Sequence, residues 1–420
     1  MYRWLSVAAL VGVIGCGEQA PDPGAPALKT DHGVDAAAKV IRIGTLNDES
    51  GPGAAIGKPF ALGKRVLAGQ INAGASGLLP DGWKVELVER DHGYNAQSAV
   101  AAYNEIHDDV LFVGTSFGTP NTLPLRPMLE QDGMFAFPAS LSSEMANHPH
   151  TPPIGPSYEI EARRAMEFAV HLAGGAPAVK AGIVYQQDDY GKDGLAGWKA
   201  AAESAGVAIV SEQTVAPGQK DMAAVIAGLK DAGATHVLLT TLPSATGPIL
   251  GTAAQLQYAP VWIGNTPAWI DRFFDPTVIP SAVFANYHQM LGVPTPGEDV
   301  PGMDAFTAAF AAHGGGGSPD QYTLASYVQG LAQIEAAKLA IERGDITRVG
   351  YRSALHTLSS FDGHGMFQPI DLSRVPYAVS DKTRVLKPNF ESKGWTVVSD
   401  YASPGSPFAA PAAPEKAEGE

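Results

Sequence analysis

The chain has 420 residues, 45% of them hydrophobic and 17% charged, so a sizeable core is within reach and two domains are the natural expectation. Its 28 basic and 43 acidic residues leave a net charge of −15, and no stretch concentrates Lys and Arg, which argues against a nucleic-acid partner. With one cysteine, the fold must stand on its core without a disulfide.

Residues 1–16, "MYRWLSVAALVGVIGC", place Arg3 before an apolar run from Leu5 to Ile14. That run is too short to span a bilayer and fits the apolar centre of an export signal. The tetrad Val13-Ile14-Gly15-Cys16 resembles the bacterial lipobox, whose cysteine is lipidated and becomes the mature N-terminus. The alternative is an ordinary buried or free cysteine. Residues 17–38 are rich in Ala, Pro, Gly and Asp without an apolar face and read as a flexible tether. Residues 403–420 have the same character and read as a disordered tail.

Between these ends, strand-like and helix-like segments alternate. "VIRIGTL" precedes a helical stretch at about 59–73, and "KVELVER" precedes "NAQSAVAAYNEIHDD", where Ala99, Ala102, Tyr103 and Ile106 share one face. "VLFVGT", a helical "TLPLRPMLEQDG" and "MFAFPAS" follow. After Tyr158 the rhythm restarts, with helices at 159–173, 191–205, 219–232 and 245–256 between the strands "AGIVYQQ", "VAIVSEQTV", "HVLLTTL" and "PVWIGN". Short β-branched runs alternating with longer helices predict parallel sheets covered on both faces. Two rounds of the pattern predict an α/β chain of two doubly wound lobes. The third part holds a helix near 302–312, the glycine run Gly314–Gly317, read as a mobile loop, and a long helix beginning at Gln321. Ligands of doubly wound sheets sit outside the carboxyl ends of strands, which draws the loops after Leu46, Gly114, Phe137, Gln186, Thr241 and Gly264 around one crevice.

Within "IRIGTLNDESGPGAAIGK", Ile41 to Lys58, the closing Gly57-Lys58 suggests a phosphate loop. Pro52 stands where such a loop needs its first glycine, and Pro59 where it needs Ser or Thr. Proline offers no N–H to a phosphate oxygen, so the loop must hold something else. Asp188-Asp189 and Glu89-Arg90-Asp91 suit acid–base chemistry, but both lie at strand ends, where solvated acids and helix caps are common. His148 and His150 sit in a proline-flanked loop, and no histidines show paired ligand spacing, so neither metal nor cofactor is expected. No G-x-S-x-G elbow is present. Trp262 reads as core, whereas Trp269, past the strand end, fits core and ligand contact equally.

The pieces "IRIGTLNDESGPGAAIG", "INAGASGLLPDGWKVELVERDHGYNAQSAVAAYNEI", "FVGTSFGT", "FAFPAS", "VYQQDDYGKDGLAGWKAAAESAGVAIV" and "VWIGN", in this order behind a lipobox, resemble the leucine/isoleucine/valine-binding-protein family. These are type I periplasmic binding proteins that feed ABC importers. The resemblance implies two α/β lobes joined by a hinge: 39–157 with 285–370, and 158–284 with 371–402. It implies that the Ser50-Gly51-Pro52 turn and Ile56 line the first lobe's side of a cleft. Ser116, Phe117 and Thr119, with Ala139, Ser140 and Leu141, match the carboxylate-holding loops, although Phe117 stands where the family has Ser and Leu141 where it has Thr. Tyr190 matches the tyrosine that stacks on the ligand. Thr266 falls where an acidic residue neutralises the ligand's ammonium, so no counter-charge stands there. A buried, unpaired ammonium costs several kcal/mol or so, which disfavours a free amino acid. With Leu242 and Trp269 the expected lining is unusually apolar, suiting a ligand with a large apolar or aromatic body and at most one acidic group. The implied protein is a monomeric, extracytoplasmic, lipid-anchored solute carrier that partners an ABC permease and makes or breaks no bond. Rival readings are a sensor for a receptor or kinase, an enzyme on the same scaffold, and a surface interaction protein.

Overall fold

The computed structural model describes residues 27–408 apart from Ser76. The expected leader, Cys16, residues 17–26 of the tether and residues 409–420 of the tail lie outside the described residues. In the first half of the chain the order is β1 (Val34–Asp35), β2 (Val40–Asn47), α1 (Ala54–Asn72), β3 (Lys84–Asp91), α2 (Ala96–Ile106), β4 (Phe112–Phe117), α3 (Thr119–Thr122), α4 (Arg126–Asp132) and β5 (Ala136–Ala139). β2 pairs in parallel with β3 and β4, β5 adds in parallel beyond β4, and β1 is a short antiparallel addition at the start of β2. All six residues of β4 are buried, as a parallel strand covered on both faces requires.

The second sheet grows from α5 (Tyr158–Leu172), β6 (Lys180–Gln186), α6 (Asp189–Ala205), β7 (Ala208–Val215), α7 (Ala223–Asp231), β8 (His236–Thr240), α8 (Pro243–Gln255), β9 (Val261–Gly264) and β10 (Tyr287–Leu291). The chain then returns to the first lobe with α9 (Met303–His313), α10 (Gln321–Glu342) and α11 (Arg348–Leu355), and ends in the hairpin β11 (Thr383–Asn389) and β12 (Gly394–Ala402). The strand order is β12-β11-β10-β9-β8-β6-β7, parallel except that β11 runs antiparallel to both its neighbours. The fold is the expected two-lobed α/β architecture, with the antiparallel hairpin as an addition to its second sheet.

Helix starts follow side-chain chemistry. Asn95, Ser157 and Asp188 each accept a bond from a backbone N–H two or three residues inside α2, α5 and α6, and Asp320 accepts from Tyr322 and Thr323 at α10. One core joins the first sheet to α9, α10 and α11, while the second sheet carries a core on each face.

Three boundaries differ from the sequence reading. Tyr287–Leu291, expected in the first lobe, pairs with β9 in the second sheet. The tether is shorter than expected, because Val34 and Asp35 pair with Ile41 and Val40, and Lys29 exchanges backbone bonds with Gly344 and Ile346. The start of the tail is packed: Phe408 stacks on His171, and the Arg164 guanidinium lies 3.6 Å from its ring centre. A composition rich in Ala, Pro and Gly did not reveal these local anchors.

Candidate functional site

The glycine-rich turn after β2 closes on its own chain. The Asp48 carboxylate accepts the N–H groups of Gly51 (2.5 Å) and Gly53 (2.7 Å), so the groups a phosphate would need are already used. Gly57 packs so tightly that an added Cβ would sit 1.7 Å from the Asp48 carbonyl oxygen. The turn thereby fixes the start of α1 and aims Ile56 and Phe60, one helical turn apart, at the space between the lobes.

That space is a cavity of about 820 Å³, part of it open to solvent. β4 delivers Phe117 and Thr119 around Gly118, whose φ of 86° is the left-handed conformation that favours glycine. β5 delivers Ala139, Ser140 and Leu141, and the connection to α5 adds Pro156 and Tyr158. The second lobe supplies Tyr190 at the start of α6, Leu242 beyond β8 and Thr266 beyond β9. α10 closes the floor with Tyr322, Ala325 and Gln329 along one helical stripe. Among the described residues, no Asp, Glu, Lys, Arg or His lines the cavity.

The aromatic rings face the cavity while their hydroxyls are engaged behind it. Tyr190 donates to Asn265 Oδ1 (2.8 Å) and stands edge-on to Tyr158, with ring centres 4.7 Å apart. Tyr322, on the first lobe, donates across the cleft to the carbonyls of Trp269 (2.6 Å) and Thr266 (2.9 Å). Tyr94 reaches across likewise, to Asp188 Oδ2 at 3.3 Å. Burial drives the pKa of all three tyrosines well up, so they stay neutral, and burial also raises Asp188. The polar spot on the first lobe's wall is the Thr119–Ser140 hydroxyl pair, 2.6 Å apart.

Nine of the residues singled out from sequence converge on this cavity: Ile56, Phe117, Thr119, Ala139, Ser140, Leu141, Tyr190, Leu242 and Thr266. Three lie elsewhere. Ser116 is beneath the wall, its hydroxyl 2.8 Å from that of Thr122. Ser50 belongs to the turn, beside Gly93. Trp269 is fully buried among Phe274, Phe284 and Trp395 at 4.7–5.1 Å between ring centres, and meets the cleft region only through its carbonyl. Phe60, Tyr94, Tyr158, Tyr322 and Gln329 escaped the sequence reading. Ile56 with Phe60, and Tyr322 with Ala325 and Gln329, have helical spacing, but such a stripe does not say whether it faces a core or a cavity.

The carboxylate clusters serve structure. Asp188 caps α6, Glu89 pairs with Arg65, and Arg90 pairs with Glu105. His148 binds Glu130 and His150 binds the Met134 carbonyl. Among the described residues, no three His, Cys, Asp or Glu are grouped to share a metal ion.

The sequence profile of the periplasmic binding protein family matches residues 40–387. An amino acid binding protein of Pseudomonas aeruginosa is 24% identical over 373 residues, covering 86% of this chain and 88% of its own. A fatty acid ABC transporter substrate-binding protein from Thermomonospora curvata superposes with a TM-score of 0.82 at 23% identity, over 90% of this chain and 95% of its own. A branched-chain amino acid ABC transporter protein from Thermus thermophilus, solved with bound valine, gives 0.74 at 18% identity over 87% and 96%. At such identities the structural likeness speaks for the fold alone.

Proposed function

The chain belongs to the periplasmic binding protein family, and on that footing we propose that it captures a small organic solute outside the cytoplasmic membrane and presents it to an ABC permease. Closure of the two lobes is the capture step, and no bond is made or broken. Lipidation at Cys16 would keep the protein at the membrane.

The observation that carries this reading is a cavity walled by both lobes, with aromatic rings on each side and no charged side chain in the lining. Contacts such as those of Tyr190 and Phe117 form on one ligand only when the lobes are together, and such differential contact is what drives closure. The lining suits a ligand with an apolar or aromatic body and a single acid or amide head, and the Thr119–Ser140 hydroxyls offer a polar contact on the first lobe's wall. The names of the similar proteins, which mention amino acids, fatty acids and valine, span the classes worth testing.

Mass spectrometry of what co-purifies with the protein, followed by thermal shifts with branched-chain amino acids, aromatic acids, fatty acids and amides, tests the reading. A true ligand at a hundredfold excess over Kd stabilises by about 2.7 kcal/mol. The double substitution Tyr190→Ala with Phe117→Ala is expected to abolish that shift; retained affinity would show that the pocket is wrongly assigned.

A further inference from the structure

The lining carries no charge, yet a carboxyl group lies directly behind one wall. Glu161, in the first turn of α5, is fully buried. Its Oε2 accepts the backbone N–H of Thr266 at 2.9 Å, and its Oε1 contacts the Thr266 hydroxyl. The cations nearest in sequence are taken by other acids, Arg163 by Glu159 and Arg164 by Glu167. The titratable groups facing Glu161 are Asp193 from α6, Tyr287 from β10 and Tyr158 on its own helix, none of them cationic. Thr266 is the residue that lines the cavity, and its carbonyl is held by Tyr322 Oη at 2.9 Å and Gln289 Nε2 at 3.4 Å.

Resting on the reading of the cleft as a solute site, we propose that Glu161 is a specificity-determining positioning residue: acting through Thr266, it makes this wall a hydrogen-bond donor, so the site takes an apolar-bodied acid or amide and rejects an amine. The Thr266 N–H commits Oε2 as an acceptor. A neutral carboxyl therefore carries its proton on Oε1 and gives it to Thr266 Oγ1. The hydroxyl hydrogen of Thr266 must then point elsewhere, and its protein alternative, the Met290 carbonyl, is 3.5 Å away. A carboxylate or amide oxygen in the cavity is the better acceptor. Loss of the Glu161 proton reverses the bond: Thr266 donates to Oε1, shows the cavity only lone pairs, and has a negative charge behind it. Burial raises the Glu161 pKa to about 8, which leaves the neutral, donor-directing form in the majority at neutral pH.

The test is calorimetric binding of three six-carbon probes, hexanoate, hexanamide and hexylamine, to the wild-type protein and to Glu161→Gln, between about pH 6.5 and about pH 9.5. Glutamine reproduces the neutral carboxyl, with its amide donating to Oγ1 and its carbonyl accepting from the backbone. The wild type is expected to lose about tenfold or more in affinity for hexanoate across that range, the effect of a like charge a few ångströms away. Hexanamide is expected to change little, and hexylamine to bind far more weakly than hexanoate at the lower pH. Glu161→Gln is expected to flatten the hexanoate profile, an effect that a merely structural side chain would not produce. An unchanged slope in that variant, or hexylamine matching hexanoate at the lower pH, overturns the inference while leaving the solute site intact. Carbon-13 NMR of the Glu161 δ-carbon, in unliganded protein with Glu161→Gln for assignment, is the independent arm; a midpoint below about 6 also overturns it. If none of the three probes binds, the solute-site reading itself fails for this chemistry, and the head-group assignment falls with it.

Discussion

In the first lobe a lysine is buried against a helix, and in the second a glutamate is buried against a loop; among the described residues neither has an ion-pair partner. Lys64 of α1 is 2% exposed, and its ammonium donates to Gln333 Oε1 (3.0 Å) and the Ser326 carbonyl (3.4 Å) of α10. Gln333 in turn donates to the Gly114 carbonyl of β4, so the lysine belongs to a polar seam between helix and sheet inside the first core. Glu161 instead grips a residue of the cavity wall. Burial pushes both groups toward neutrality, Lys64 down to about 7 and Glu161 up to about 8. Burial of both thus has unequal consequence: Lys64 ties a helix to its sheet, while Glu161 is hydrogen-bonded to a residue of the cavity wall.

Trp269 separates wall from core most strongly. It is expected to behave as core, so Trp269→Ala should cost about 3–5 kcal/mol of stability, read by denaturant melts. A loss of ligand affinity with stability unchanged would place it in the wall instead.

Glu161→Gln keeps both bonds to Thr266 and removes the desolvation of an ionisable acid. Because the folded pKa of Glu161 is raised above that of a free glutamate, its ionisation favours the unfolded state as pH climbs from about 4.5 to about 8. The variant is expected to gain on the order of 3 kcal/mol at neutral pH and nothing at about pH 4, measured as the difference in melting stability across pH. An equal gain at both pH values would show that the carboxyl is not neutral in the fold.

Lys64→Met tests the buried cation of the first lobe. The folded pKa of Lys64 is lowered, so its burden on stability is greatest below about pH 7 and vanishes as pH rises toward the unfolded value near 10.5. After allowing about 1 kcal/mol for the lost bond to Gln333, a gain of about 2–3 kcal/mol is expected at pH 7. Because Lys64 is not part of the cavity lining, the same variant is expected to leave ligand affinity unchanged, which calorimetry checks.

How much of this was legible depended on how local the cause was. The helices expected at 159, 191 and 321 begin at Tyr158, Asp189 and Gln321, within two residues, because the alternation of strand-like and helix-like segments is a local signal. The first lobe's walls followed from the short segments after β4 and β5. Ser116 was misplaced because its hydroxyl is taken by Thr122, six positions on, and either residue alone would serve a ligand. Trp269 was undecidable because Trp395, which helps to bury it, arrives on a hairpin that the alternating pattern did not announce. Tyr322 was not singled out, because an apolar helix stripe reads alike against a core and against a cavity, and only the open space opposite makes it a lining residue.

The amino-acid order determined by itself the alternation of strands and helices, the two-lobed class and the loops that gather at the strand ends, since periodicity, caps and turns are short-range properties. Folding in three dimensions sets a buried acid from α5 behind Thr266, which has no charge of its own, and fills the glycine-rich turn with the Asp48 carboxylate. Burial and hydrogen-bond partnership are set by groups far apart in the chain, and the neutrality of Glu161 comes from neighbours that only the folded lobe assembles.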